Sequence, residues 1–571
     1  MESLKITSRK DLGQMLVEAG LITGEQLNHV KELQSKEGDN DKIERILLRQ
    51  RLVTPQQLAF FTSLQLGIPF VNLKKEGVQS YAVALIPEPI ARKYNVIPID
   101  VINGTVVIAM EDPTDIQVIE DLATLTRKRI EPVVSTSQDI QEMIDLNYRA
   151  GGEIEEQLSQ IPTRYRKVGV GDREGARVSA ETIAQAPVVR AIDLLIKQSV
   201  RDRASDIHIE PQEDKLRIRY RIDGILHDVM SLPLSVHPPL VSRVKIMAGL
   251  NIAERRRPQD GQITFDMGDR EVDIRVATSN TVYGEMAVLR ILDKTFAFLP
   301  LPDIGFLPDI LERYLQIVRT PFGMILISGP TGSGKTTTQY ATVNQLDAIG
   351  RNIITIEDPV EYRFTNINQM QVNAAAGITF AAGLRASMRL DPDVILVGEI
   401  RDAETAQIAT QASLTGHLVL SSVHANDSVG VIFRMIDLGV ESFLIAQAVI
   451  GVVSQRMVRR VCPYCSRLTE VSPDEQLAYE QELNEKRSEF PIGAGCNFCA
   501  GTGYLGRTGV FELMVMSESI RRMILTGAGA DEIRAQAYKE GTLSLWHDGM
   551  LKIKEGTTTP YEVIRNVYSI S

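Results

Sequence analysis

Apolar residues fall at helical spacing through the first seventy positions, and they do so twice. Leu12, Leu16, Val17, Leu21, Ile22, Thr23, Leu27 and Gln34 recur 31 positions later as Ile43, Leu47, Leu48, Leu52, Val53, Thr54, Leu58 and Gln65. In each copy a threonine, Thr23 or Thr54, stands where an N-cap opens a second helix. Residues 1–69 therefore read as two helix-turn-helix units. From 70 to 150 the pattern is mixed. Val96-Ile97-Pro98-Ile99 and Thr105-Val106-Val107-Ile108-Ala109 read as strands around an Asn103-Gly104 turn, and Asp112-Pro113-Thr114 introduces an amphipathic helix. Residues 151–179 are polar, glycine-containing and without period, as in a flexible linker.

A second α+β unit is expected over 180–299. In Lys215–Ile222 arginines alternate with apolar residues, so Arg217, Arg219 and Arg221 share one strand face and Ile218, Tyr220 and Ile222 the other. Three like charges on one face repel unless something anionic lies opposite. Residues 300–571 alternate apolar β-type runs with helical segments, the pattern of a parallel α/β sheet, with a cysteine-containing insert at about 458–510 and a helical tail. The fold class expected is multidomain α/β, with a C-terminal P-loop (RecA-like) domain behind small α+β domains and an N-terminal helical repeat.

Length agrees, since 571 residues make room for about four domains. With 62 basic and 73 acidic residues the net charge is -11, which argues against a protein that coats nucleic acid. Residues 1–10 show no apolar signal region, and the best uncharged apolar run, 443–453, is too short to span a bilayer. The expectation is a cytoplasmic protein that reaches a membrane only through partners. The four cysteines form two CxxC pairs, Cys462/Cys465 and Cys496/Cys499, a spacing that points to one structural Cys₄ zinc site.

The sharpest chemical signal is Gly329-Pro330-Thr331-Gly332-Ser333-Gly334-Lys335-Thr336, which follows the apolar run 323–328 and precedes a helical pattern that includes Thr337. This is GxxxxGK[ST] in its required strand-helix context. Backbone N–H groups close around phosphate, Lys335 reaches the β- and γ-phosphates, and the Thr336 hydroxyl is placed for Mg²⁺. ATP and Mg²⁺ are thus the expected cofactors beside zinc. Two further apolar runs end in acids: 353–356 in Glu357, and 394–397 in Gly398-Glu399. Strand ends at the mouth of a parallel sheet are where a ligand belongs. The residues leave open which acid activates water and which orients Mg²⁺ through water.

Together GPTGSGKTTT (329–338), IEDPVEY (356–362), DPDVILVGEIRDAETA (391–406) and TGHLVLSSVHAND (415–427) resemble the secretion ATPases of type II and type IV pilus systems. The resemblance implies that these segments are Walker A, an Asp box, an atypical Gly-Glu Walker B and a His box, with His424, and secondarily His417, contacting or sensing phosphate. RYRIDG (219–224), RPQDG (257–261) and VLRIL (288–292) extend the likeness, which implies that Arg219, Arg221, Arg275 and Arg290 complete a neighbour's nucleotide site; Gln262 stands where the family usually has an arginine. The cysteine cluster and GTGYLGRTGVFE (501–512) are similar to assembly-type rather than retraction-type motors.

The family further implies a hexameric ring that drives pilin or pseudopilin subunits from the inner membrane through a platform protein there. The alternatives are a DNA-translocating motor, disfavoured by the net charge, and a nucleotide-sensing regulator that does not hydrolyse ATP, disfavoured by the two acidic strand ends. The N-terminal repeat resembles domains whose RLGxxLLxxG-type motifs bind cyclic di-GMP. Here Asp11 replaces the first arginine, Lys42, Ile43 and Glu44 replace Arg-Leu-Gly, and Arg51 replaces a glycine. An acid in place of a phosphate-pairing arginine repels the ligand, so a retained fold without tight cyclic di-GMP binding is expected.

Overall fold

The computed structural model describes residues 11–37, 43–50, 52–73, 78, 80–83, 85–102, 104–148, 186–268, 270–292 and 299–567. The expected linker at 151–179 lies outside them, as do Lys42 and Arg51. The chain divides into two compact units. One holds residues 1–152 together with the loops 462–465 and 494–503; the other holds the remainder.

In the first unit the repeat forms the helix pairs Leu12–Glu18 with Gly24–Glu37 and Ile43–Arg49 with Pro55–Leu66. Both second helices open on the threonine the sequence marks. Thr54 accepts from the N–H of Gln57 while the Gln57 side chain accepts from the N–H of Thr54, and Thr23 and Gln26 make the same reciprocal pair. Repeated apolar positions meet in one small core, including Leu16 with Leu47, Ile22 with Val53 and Leu27 with Leu58. Asp11 stands at the N-cap position of the first helix without capping it through its side chain, and its carboxylate pairs instead with Lys31 at 3.0 Å. Next come β1 (Val96–Ile102), β2 (Thr105–Met110) and β3 (Arg129–Val134), with β2 in the middle. The helix before β3, Ile116–Thr126, starts later than Asp112-Pro113-Thr114 suggests. Asp115 caps it by accepting from Val118 N–H, whereas Asp112 accepts from Thr114 within the turn. The helix Ser137–Asn147, capped by Thr136, closes this core.

In the second unit an antiparallel sheet comes first: β4 (Ala204–Pro211), β5 (Lys215–Ile222), β6 (Ile225–Pro233), β7 (Gln259–Asp266), β8 (Glu271–Thr281) and β9 (Gly284–Leu292), in the order β6-β5-β4-β9-β8-β7. Burial along β5 alternates as its sequence requires. Tyr220 is buried and donates its hydroxyl to Leu195 O in the helix Ala186–Arg201, while the arginines lie on the opposite face.

The second sheet is parallel except at one edge. It contains β10 (Gly323–Ser328), β11 (Ile353–Glu357), β12 (Asn368–Gln371), β13 (Val394–Val397), β14 (Leu418–Val423) and β15 (Val449–Val461); a separate hairpin β16 (Ser466–Glu470)–β17 (Glu489–Gly493) precedes the antiparallel edge strand β18 (Tyr504–Val515). The order is β12-β11-β13-β14-β10-β15-β18. Successive residues of β10 enter opposite cores: Met324 and Leu326 pack with the helix Ala403–Leu414, and Ile325 and Ile327 with the helix Pro308–Val318. Burial on both faces is why these strands read as continuous apolar runs.

Candidate functional site

The carboxyl ends of the parallel strands gather the expected chemistry. β10 runs through the glycine-rich loop into the helix Lys335–Asn344, which begins at the lysine itself. Lys335 Nζ donates to the carbonyls of Gly329 (2.9 Å) and Pro330 (3.1 Å), folding the side chain back over the loop. Burial pulls this ammonium below the ordinary lysine value, and the Glu399 carboxylate opposes that pull. An anion in the loop would stabilise the charge further.

Gln455 on β15 braces the loop, and sequence reasoning missed it. Its amide is buried, donating to Ser333 O at 2.6 Å and accepting from Thr338 Oγ1 at 2.9 Å. The backbone carbonyl of Gln455 lies so close to Gly329 (φ 148°) that a Cβ there would approach it to 2.5 Å. A lone glutamine in a β-strand carries no motif, so only the fold reveals it. Its neighbour Arg456 donates to Asn426 O at 3.1 Å, in the segment read as the His box. Arg456 also lines, with Thr331, Ser333, Arg459 and Arg507, a cavity of about 260 Å³ beside the loop.

Glu357 ends β11, buried, and accepts from Thr355 Oγ1 (2.5 Å), Gln369 Nε2 (3.1 Å) and the Tyr340 hydroxyl. Burial and this carboxylate push the Tyr340 phenol well above its usual value, so it remains a donor. Glu399 follows β13. Its side chain is more open, and it pairs with Arg401 and with His424 Nε2 at 3.5 Å. A side chain at Gly398, the usual aspartate position, would press on Ile356 O at 3.3 Å, and the strand tip is already tied down by Ser422 Oγ donating to Gly398 O. His424 follows β14 directly and so stands at the P-loop edge.

His417 does not. It precedes β14, whose first residue pairs with the first residue of β10, and its Nδ1 lies 2.8 Å from Ala412 O. At about 3.3 Å per residue, six residues of strand separate it from the loop by roughly 20 Å. The implied phosphate role of His417 is corrected to a structural one in this chain.

The arginine face has its anionic partners within the same sheet. Asp206 on β4 accepts from Arg290 Nε (3.0 Å) and pairs with Arg221 Nε (3.5 Å); Glu210 binds Arg219 Nη2 (2.6 Å) and Arg217 Nη2 (3.0 Å). Burial pushes the Glu210 carboxyl up, but Arg219 and Arg217 outweigh it and hold the group below the usual carboxylate range. Arg275 pairs instead with Glu361, just beyond β11, at 3.0 Å. Cross-strand register lines up Gln262, Arg275, Arg290, Asp206 and Arg221 as one row. The missing arginine at 262 therefore removes the last charge of that row. The signal that would have found these partners is Asp206, His208 and Glu210 at period two.

Cys462, Cys465, Cys496 and Cys499 present sulfurs all within 4.8 Å of one another, with nearest pairs at 3.7–3.9 Å. Tetrahedral zinc with Zn–S bonds of about 2.3 Å sets S···S near 3.8 Å, so the set fits Zn²⁺. Backbone N–H groups of Cys496 and Gly503 point at Cys499 Sγ and that of Gly495 at Cys465 Sγ, as suits thiolates. The shared contact between Cys496 and Cys499 pulls the Cys499 thiol down and pushes the Cys496 thiol up. The sequence reading places this insert in the ATPase domain, but by contact the cysteine loops cluster with residues 1–152.

Residues 181–565 match the family described as "Type II/IV secretion system protein", and residues 66–154 match the MshEN domain. The type IV pilus assembly ATPase PilB of Myxococcus xanthus is 38% identical over 97% of this chain and 98% of its own length. The type II secretion system protein E of Xanthomonas campestris is 36% identical over 97% of each chain. Among solved structures, the Legionella pneumophila ATPase DotB is similar at a TM-score of 0.49 and 19% identity, over 65% of this chain and 93% of that one. With a family match over more than half its length and relatives above a third identity along nearly all of it, the chain belongs to the type II/IV secretion system protein family.

Proposed function

We propose that the protein is a Mg²⁺-dependent ATPase of a pilus-assembly or type II secretion machine. The observation that carries this reading is the Lys335 ammonium folded over the glycine loop within the electrostatic reach of Glu399. The loop N–H groups and Lys335 bind the phosphates, and Thr336 and Glu399 would hold Mg²⁺, which would supply charge neutralisation at the transferring phosphoryl group. Glu399 takes the metal side because it is the acid whose charge acts on the Lys335 ammonium. Glu357 orients the attacking water, and His424, tied to Glu399, reads the phosphate state.

Arg219, Arg221 and Arg290 act on a neighbour's nucleotide in a homo-oligomeric, hexameric ring. Arg290 is about two-thirds exposed, so its ion pair is worth at most about 1 kcal/mol and is readily exchanged for phosphate. Among the described residues no helix is long and apolar enough to cross a membrane, which fits a partner, such as an inner-membrane platform protein, as the route of force to pilin-like subunits. In this reading the protein works in the cytoplasm. The N-terminal repeat keeps its fold without tight cyclic di-GMP binding, because Asp11, paired with Lys31, supplies no cation where a phosphate-pairing arginine is needed. Phosphate release tests the core of the proposal. The wild-type chain turns over ATP with Mg²⁺, and Lys335→Ala loses at least about 10²-fold in kcat; full activity in that variant removes Lys335 from the site.

A further inference from the structure

The cysteine loops carry aromatic residues at matching places, Tyr464 in Cys462-Pro463-Tyr464-Cys465 and Phe498 in Cys496-Asn497-Phe498-Cys499. Their rings stack at 4.0 Å and 14°. Phe498 also packs against the apolar core of the α+β domain at 70–148, the core built from Ile97, Leu122, Ile140, Met143 and Ile144 among others. Beside it Asn497 Nδ2 donates to Asn147 Oδ1 at 2.7 Å. Asn147 is 6% exposed and spends its own amide N–H on Met143 O, within the last turn of the helix Ser137–Asn147. The tip of the second CxxC loop thus supplies one apolar and one polar contact to the end of a single helix.

We propose that the metal centre serves as a docking tip for this domain: zinc sets the two CxxC loops in the shape that seats Phe498 and Asn497 on residues 137–148 of the same chain. Four thiols at 3.7–3.9 Å have little cohesion of their own, whereas metal binding energy fixes loop conformation directly. Tyr464 backs Phe498 only while both CxxC loops share one ion. The inference rests on the zinc reading of the four cysteines and extends it from local stability to the order of a distant domain.

Hydrogen exchange on the full chain tests this, with zinc content measured on each sample. Expected is about tenfold faster exchange across the helix Ser137–Asn147 in chelator-stripped protein and in Phe498→Ala protein that retains one zinc, with β10 and β14 keeping their protection. Zinc-loaded Phe498→Ala with exchange in 137–147 within about twofold of wild type overturns the proposal, as does stripped protein in which that helix is unmoved. Should stripping open β10 and β14 as well, the Phe498→Ala arm decides, because it keeps the metal. Wild-type protein without zinc defeats the zinc reading and this inference with it.

Discussion

In the parallel sheet β10–β15 the polar groups of the site stand at strand ends, whereas in the antiparallel sheet β4–β9 they lie along a strand face. The first arrangement concentrates function in short contiguous segments. Glu357 ends a buried strand, His424 and Glu399 lie just past the ends of two others, and Lys335 follows a fourth across the glycine loop; they gather because parallel strands end on one side. The second spreads function over a row that exists only through register, so that Arg275, Arg290, Asp206 and Arg221 come from four strands. If the strand-end groups meet one ligand, as proposed, loss of any single member should be costly. A face row carries its own counter-charges, so each single loss there should cost less.

The largest effects should come from the strand ends. Glu399→Gln and Glu357→Gln each lower kcat by about 10²-fold or more while equilibrium nucleotide binding stays near wild type. They separate by magnesium: Glu399→Gln raises the Mg²⁺ concentration needed for half-maximal rate, and Glu357→Gln leaves it unchanged. Loss of binding without loss of kcat in Glu399→Gln breaks the assignment.

Smaller effects belong to the face. Asp206→Asn frees Arg221 and Arg290 from their shared carboxylate, and about a tenfold fall in kcat with little change in KM is expected if the row positions those arginines for phosphate. An unaltered kcat makes the face a merely solvated one. Mixing Arg221→Ala with Lys335→Ala subunits sharpens the point, since some hybrid sites join an intact loop to an intact arginine. Partial recovery of phosphate release is expected, and confirmed co-assembly without any recovery removes the arginines from the neighbour's site.

The N-terminal repeat gives the smallest change. The Asp11–Lys31 pair is exposed at both ends and worth about 1 kcal/mol or less. Cyclic di-GMP titrated calorimetrically into the full chain should show no sub-micromolar binding, and Asp11→Ala should not create it. A sub-micromolar wild-type affinity overturns that reading.

Much of this is legible in the sequence alone. Period-two alternation in Lys215–Ile222, the repeat caps Thr23 and Thr54, the glycine loop ahead of Lys335 and the CxxC spacing are local patterns, each set by backbone geometry within a few residues. Those properties the sequence determined by itself. Gln455 under the loop, Asp206 and Glu210 beneath the arginines, His417 at the wrong end of β14 and Phe498 against the core of a domain some 350 residues earlier were decided by the tertiary structure. The reason is physical: strand direction, register and sheet order fix which distant residues share an edge or a face, and no local period encodes them.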